Sequence, residues 1–447
     1  MRYYSTNDPN TTVTLREAVV RGLAPDRGLY MPNSIKRLGQ EFFNKIHALS
    51  FQQIADEVAM AFFGEDLPET DIRRITEDTL NFDIPLVEVS PGIYSLELFH
   101  GPTLAFKDIG ARFMARLLEY FIAHEEEKTH KGESVVNVLV ATSGDTGSAV
   151  ANGFLGVNGI HVYVLYPKGK VSPIQESQFT TLGHNITAVE VDGVFDDCQR
   201  LVKQAFMDAE LRNHLVMTSA NSINVARFLP QAFYYFYAYA QLRAFQLSGK
   251  APEGEPVISV PSGNFGNLTA GLIAHRMGLP VKYFVAANNA NDVFLKYLLT
   301  GTYCPQPTRQ TLANAMDVGA PSNFARILDL YANSLEAIRN DIRGDAFTDE
   351  AIKDIIRDCY HHTGYILDPH GACAYEALRG HLKRYEPGIF LETAHPAKFK
   401  EKVDDILDTD IPIPQRLSAF MKGQKKTVAM SKLFPDFKEY LLQSSGE

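Results

Sequence analysis

Cysteine is scarce and scattered. The four residues Cys198, Cys304, Cys359 and Cys373 stand in a chain of 447 without C-x-x-C spacing. Neither a disulfide framework nor a zinc site is indicated, and all four are expected to be reduced and buried. No apolar run approaches the ~18 residues of a membrane span. The most suggestive stretch, Phe233 to Ala240, covers only eight residues inside a tyrosine-rich helical pattern. Met1 to Asp8 carries no apolar targeting core, so a cytoplasmic location is the expectation. Basic residues are outnumbered, 43 Lys and Arg against 53 Asp and Glu, leaving a net charge of −10 with no offsetting basic cluster. That argues against nucleic acid, which needs a positive stripe. It does not argue against an anionic small molecule, because a local arginine and helix ends outweigh global charge at short range. His361-His362 is not read as a metal signal, and no metal is expected.

What is present is an alternation of strands and helices. The length suggests two or three domains, and a content of 45% hydrophobic and 21% charged residues is that of a globular protein. Residues 1 to about 95 carry helical patterns such as Phe51 to Phe63. Beyond them the pattern predicts helix 108–124, strand 135–141, a helix after 146, strands 161–166 and 186–191, and a helix near 195–209. A long helix from Ser222 to about Phe245 comes next, then strand 257–260, helix 268–276, strand 281–287 and strand 389–391. Glu125-Glu126-Glu127 reads as a solvated helix end. Such alternation implies parallel sheets covered by helices on both faces.

Three segments carry chemistry. Lys107 stands behind the apolar run Leu104-Ala105-Phe106 and before Asp108, a candidate N-cap for the helix from Ile109. A helix N-terminus and apolar neighbours both disfavour the ammonium form, so this amine is a candidate to condense with an aldehyde as a Schiff base. A solvated lysine at a helix start is the alternative. The other two segments are strand, glycine loop and helix: Val135–Ala141 followed by Thr142-Ser143-Gly144-Asp145-Thr146-Gly147, and Val257–Val260 followed by Pro261-Ser262-Gly263-Asn264-Phe265-Gly266-Asn267. That geometry aims backbone N–H groups at an anion, though a glycine turn by itself is as readily structural. Neither loop matches a Walker or dinucleotide fingerprint.

Together these residues resemble the threonine synthases, fold-type II pyridoxal-phosphate enzymes of the tryptophan-synthase β family. The likeness is carried, in family order, by Phe99–Asp108, Ser143–Gly147, Ser219–Arg227, Val260–Asn267 and Thr393–Phe399, and it extends to Gly28–Pro32 in the N-terminal region. It implies an α/β, two-lobed fold with parallel-rich sheets covered by helices and an extended N-terminal region. The implied divisions are 1–97 contributing to the large lobe, 98–215 as a small central lobe, and 216–447 as the large cofactor-binding lobe. It also implies pyridoxal 5'-phosphate on Lys107, with Gly263, Asn264, Phe265, Gly266 and Asn267 at the cofactor phosphate and the Thr393 hydroxyl at the pyridine nitrogen.

The substrate implied is O-phospho-L-homoserine, converted with water to L-threonine and phosphate. Its carboxylate and neighbouring groups would meet Thr142, Ser143, Asp145 and Thr146. Asp145 is awkward there, because a carboxylate does not accept from another, so it is expected to brace the loop or bond the substrate ammonium. The phosphate would meet Ser222, Asn224 and Arg227. Ser222 also reads as a helix N-cap, and Arg227 as an ion-pair partner of an acidic side chain. His395, beside Pro396, is expected to be a structural hydrogen bonder. No nucleic acid, membrane or metal is expected, and the oligomeric state is left between monomer and homodimer. A dehydratase or β-replacement enzyme of the same cofactor class would need no second anion pocket. A phosphometabolite-binding module would leave Lys107 unexplained.

Overall fold

The central strands are buried along their whole length, and that decides the architecture. In Val257–Pro261, Tyr283–Asn288 and Gly388–Glu392 every residue is buried, the mark of strands covered on both faces. The computed structural model describes residues 1–124 and 135–444; the Glu125–Glu127 run lies outside them. The fold is mixed α/β and parallel-rich, and the chain divides into two compact units.

The first unit comprises Met1, Met31–Phe106 and Phe228–Pro412. Its six-stranded sheet runs in the order Ile342–Ala346, Tyr283–Asn288, Val257–Pro261, Gly388–Glu392, Ile93–Glu97, Leu86–Ser90. All neighbours are parallel except the last pair. Helix Pro369–His381 packs across the sheet, opened by Asp368, whose carboxylate accepts from the amides of His370 and Gly371, with Pro369 in the first turn. Ser50 and Gln53 form a reciprocal cap that starts helix Phe51–Phe63.

The second unit comprises Arg2–Tyr30, Lys107–Arg227 and Ile413–Glu447. Its five-stranded sheet is parallel throughout: Val428–Met430, Ile186–Val191, Ile160–Pro167, Val136–Ala141, Val216–Ser219. Leu139, Tyr163, Leu165, Val189, Leu201 and Phe437 share one apolar cluster, which brings the C-terminal helix Phe434–Ser444 onto helix Phe195–Met207. Thr14 and Glu17 cap helix Leu15–Arg21 reciprocally.

The expected long helix from Ser222 is broken. Val225–Phe228 is a single turn, Leu229–Gln231 a 3₁₀ turn, and the long helix runs from Ala232 to Leu247. Pro230 is the reason, since it has no N–H and its ring clashes with the preceding turn. Cys198, Cys359 and Cys373 are buried as expected, but Cys304 is exposed; none of the four is in a disulfide. Among the described residues no helix is long and apolar enough to cross a membrane, and no cluster of His, Cys, Asp and Glu could hold a metal.

Phe390 sits in the middle of the first unit's sheet, fully buried and edge-on to Tyr375 at 5.4 Å. Phe390→Ala is expected to lower stability by about 3–5 kcal/mol, read from the denaturant midpoint at constant m-value.

Candidate functional site

In the first unit the parallel neighbours Val257–Pro261 and Gly388–Glu392 release their loops at the carboxyl edge of the sheet, where ligands of such sheets bind. After Pro261 the chain passes through Gly263 and through Phe265 in the left-handed region (φ 63°), then enters helix Gly266–Arg276. A Cβ on Gly263 would stand 2.7 Å from Met316 Cα and 2.9 Å from the Ala315 carbonyl oxygen, so only glycine fits. The asparagines hold this loop in shape. Asn264 Oδ1 accepts from Ser322 N at 2.6 Å, and its backbone oxygen accepts from Asn323 Nδ2 at 2.9 Å. Asn267 donates from Nδ2 to Pro261 O at 2.9 Å and accepts from Leu268 N. The side-chain oxygens and the Asn267 amide are thereby engaged with backbone groups. Backbone N–H groups and the helix N-terminus remain to receive a phosphate. That cradle, closed against any Cβ at Gly263, fits the phosphate of a pyridoxal cofactor.

The lysine motif is pinned to the loop after Gly388–Glu392. Ala105 and Ala394 form an antiparallel bridge, with Phe106 N donating to Thr393 O at 2.9 Å and His395 N to Leu104 O at 3.1 Å. Lys398, fully buried, donates from Nζ to Thr103 O at 2.8 Å. Leu104 adopts φ 56° in this turn. The chain is helical from Lys107 itself, so Asp108 lies in the first turn of helix Lys107–Ala123 and is not its N-cap. The bonds on residues 103–106 turn the chain one residue earlier than its pattern suggests. Thr393 is 5% exposed. His395 Nδ1 accepts from Ala397 N at 3.1 Å, and burial, aided by His100, holds its pKa down at about 4. It is a neutral structural cap.

In the second unit, strands Val136–Ala141 and Val216–Ser219 are parallel neighbours, so the loops that follow them emerge side by side. Asn221 clamps the two together: its Nδ2 donates to Ala141 O at 2.9 Å and its Oδ1 accepts from Ala141 N at 3.3 Å. The Thr142 hydroxyl, fully buried, accepts from Gly144 N at 2.9 Å and Gly147 N at 2.8 Å and donates to Gly144 O. It closes the loop and has no capacity left for a substrate. Asp145, 3% exposed, accepts from Gln175 Nε2 at 2.8 Å, the bracing role. Ser143 and Thr146 are the half-buried hydroxyls of the loop.

In the following segment Asn224 is fully buried. It donates to Val19 O at 2.9 Å and Ser219 O at 3.0 Å and accepts from Ala226 N at 2.9 Å. Asn224 therefore caps the turn Val225–Phe228, the place expected for Ser222, and its amide is committed to backbone; it braces the segment. Ser222 is half-buried. Arg227 is 2% exposed, and burial lowers its guanidinium to about 10 against the opposing charge of Asp108. A Cβ on Gly110 would lie 2.2 Å from Arg227 O, so glycine lets the lysine-bearing helix meet this segment backbone to backbone.

Gln175 and Gly110 were not singled out by the sequence, and Asn221 and Lys398 only as members of the stretches Ser219–Arg227 and Thr393–Phe399, without a role. Each is a common residue whose partner is remote in the chain; only a glycine at Gly110, inside a helical pattern, offers a local hint.

Family models match in three stretches: "pyridoxal-phosphate dependent enzyme" over residues 84–391, "threonine synthase N terminus" over 2–80, and "threonine synthase, C-terminal" over 371–440. The threonine synthase of Haemophilus influenzae is 43% identical over 447 residues, 99% of this chain and 100% of the relative. The chain belongs to the threonine synthase family of pyridoxal-phosphate-dependent enzymes. The crystal structure of the Escherichia coli threonine synthase superposes with a TM-score of 0.91 at 40% identity, covering 99% of this chain and 100% of that one. A pyridoxal-phosphate-bound threonine synthase from Brucella melitensis gives 0.90 at 32% identity, covering both chains completely. Pyridoxal phosphate is thus the cofactor of this family member, and its substrate is a small molecule.

His395 carries a pH signature. Its pKa is depressed in the folded state, so its contribution to stability is complete above about 6.5 and is lost as pH falls towards 4. Asp317, raised by burial to about 6, works in the opposite direction, so variants must be compared at each pH. His395→Asn keeps an acceptor for Ala397 N and is expected to reduce the acid loss by up to about 3 kcal/mol, measured by chemical denaturation between pH 7 and pH 4.

Proposed function

We propose that this chain converts O-phospho-L-homoserine and water to L-threonine and phosphate. The observation that carries the reading is the side-by-side placement, in the second unit, of the Ser143–Gly147 loop and the Ser222–Arg227 segment, clamped by Asn221. The substrate has a carboxylate at one end and a phosphate at the other, and two neighbouring anion-reading segments match it. An enzyme acting on serine or threonine has no use for the second.

Pyridoxal phosphate, when bound, supplies an electron sink for carbanions at substrate carbons. Lys107 would hold the cofactor and would act as the base that takes the substrate proton from Cα and then from Cβ. Phosphate leaves from Cγ, which takes up a proton to become the methyl group; water adds its hydroxyl at Cβ, and Cα is reprotonated. Gly263 and Gly266, with the N-terminus of helix Gly266–Arg276, hold the cofactor phosphate, Asn264, Phe265 and Asn267 shaping that loop. The Thr393 hydroxyl would take the pyridine nitrogen; being neutral, it would moderate the sink compared with a carboxylate. Ser143, Thr146 and their loop amides take the substrate carboxylate, with Thr142 and Asp145 as braces. Ser222 and Arg227 take the substrate phosphate, with Asn224 as the brace beneath them. Action in the cytoplasm, as a monomer or homodimer and without nucleic acid, belongs to the same proposal.

The deciding experiment is phosphate release from O-phospho-L-homoserine with threonine identified as co-product. Phosphate without threonine, or no release, overturns the proposal. Lys107→Ala is expected to abolish both the visible cofactor band and turnover, and a borohydride-reducible adduct mapped to another lysine in that variant removes Lys107 from its role.

Arg227→Ala should keep the cofactor band and lose about 2–5 kcal/mol of transition-state stabilisation. That is roughly a 30- to several-thousand-fold fall in kcat/KM. Arg227→Lys recovers part of it, lacking the bidentate fork. Near-normal kcat/KM in Arg227→Ala, or loss of cofactor with activity, refutes the phosphate role.

A further inference from the structure

Asp145 poses a problem for the loop that contains it. Its carboxylate is buried beside Ser143 and Gly144, in a loop read as receiving another carboxylate, and like charges in a buried place repel. The structure shows what restrains it. Gln175, fully buried in helix Pro173–Thr180, donates from Nε2 to Asp145 Oδ1 at 2.8 Å. The amide orientation is fixed chemically: an ionised carboxylate only accepts, so the NH₂ must face it. The other end agrees, since Gln175 Oε1 accepts from the Ser172 hydroxyl at 3.1 Å.

The same amide lies directly under the loop backbone. A Cβ on Gly144, whose φ is 143°, would stand 2.6 Å from Gln175 Cδ. The Gln175 carbonyl accepts from Ser148 Oγ at 3.2 Å, tying in the first turn of helix Asp145–Phe154. One glutamine thus touches the loop at its glycine, its carboxylate and its following helix.

The geometry points to Gln175 as a positioning residue for the substrate-carboxylate loop, acting through Asp145 to hold that charge away from an incoming carboxylate. The inference rests on the reading that Ser143–Gly147 takes the substrate carboxylate. Ser172, which caps its helix and accepts from Gln175 N at 3.2 Å, holds the glutamine in turn.

Removing the amide while keeping bulk, Gln175→Leu, leaves Asp145 without this donor. The expected result is a rise in KM for O-phospho-L-homoserine of about ten- to a hundredfold, the worth of a hydrogen bond to a charged group. The kcat should change less than about threefold, since an interaction serving ground and transition states alike moves KM alone.

Gln175→Glu is nearly isosteric and carries the signature that a purely structural role would not give. Two facing carboxylates share a proton at a raised pKa. The variant should be poor at pH 8, and as pH falls towards 6 its KM should return towards the wild-type value at the same pH, when the protonated Glu donates to Asp145. Other ionisable groups on the elements packed around this helix are Glu176, bonded to Tyr166 and paired with Lys425, Glu190, paired with Lys425, and Arg416 on helix Gln415–Met421. Wild type measured across the same pH range accounts for them.

Ser143→Ala, run in parallel, separates the two ways to fail. If it raises KM while Gln175→Leu, with full cofactor content, does not, Gln175 has no positioning role and the loop reading stands. If both are silent, the loop reading falls and the inference with it. Should Gln175→Leu fail to fold, Gln175→Glu decides alone: a KM ratio to wild type that does not change with pH overturns the proposal.

Discussion

The antiparallel bridge between Ala105 and Ala394 is the contact on which the arrangement of the first unit's chemistry depends. It joins two turns that no regular element connects, and it fixes Phe106, the residue before Lys107, to the carbonyl of Thr393. Its support is the buried ammonium of Lys398 on Thr103 O, a link across 295 residues of chain. A buried cation is costly unless hydrogen-bonded, so the ammonium and the turn at Leu104 constrain each other. The strain at Leu104, a non-glycine residue at φ 56°, is the kind that persists only where surroundings over-determine the backbone.

A second buried polar group stands directly behind this contact. Glu392 precedes Thr393 and is fully buried; burial and the charge of Asp368 raise its pKa well above the usual carboxylate range. Asp368 accepts from His370 Nδ1, and the tautomer is fixed because His370 Nε2 accepts from Ala315 N at 3.1 Å. Ala315 and Met316 are the residues that wall Gly263. The strand end at Thr393 and the cradle at Gly263 thus share one rigid support, with Gly371 bare of a Cβ because Glu392 occupies the space. Such support sets the precision of a site as much as the groups that touch the ligand.

Much of this was legible in the sequence. Strands expected at 135–141 and 257–260 appear as Val136–Ala141 and Val257–Pro261, because fully buried parallel strands read as near-continuous apolar runs; the one expected at 186–191 appears as Ile186–Val191, with Thr187 and Glu190 half-buried. The glycine loops were legible for the same reason as any sharp turn: their residue types are restricted. What sequence could not supply were the assignments of individual polar side chains. Ser222 has the composition of a cap, yet Asn224 caps, since its carbonyl oxygen reaches Ala226 N while its amide anchors Val19. Thr142 looks like a ligand-binding hydroxyl and is instead surrounded by the amides of its own loop. Such choices depend on which donors tertiary packing brings within about 3 Å, and spacing along the chain does not encode them. The break at Pro230 is different: its cause was written in the sequence, and the apolar periodicity around it masked it.

The second unit draws on three separated stretches of chain, and its edge strand Val428–Met430 pairs with Ile186–Val191 from more than two hundred residues earlier. During synthesis that edge stays unpaired until residue 430 has emerged, with backbone donors and acceptors of Ile186–Val191 open to other strands in the meantime. Distant pairings of this kind slow folding, because loop closure must precede any reward from contact. In the half of the molecule read as gripping the substrate, that wait is a window for misassembly on the ribosome.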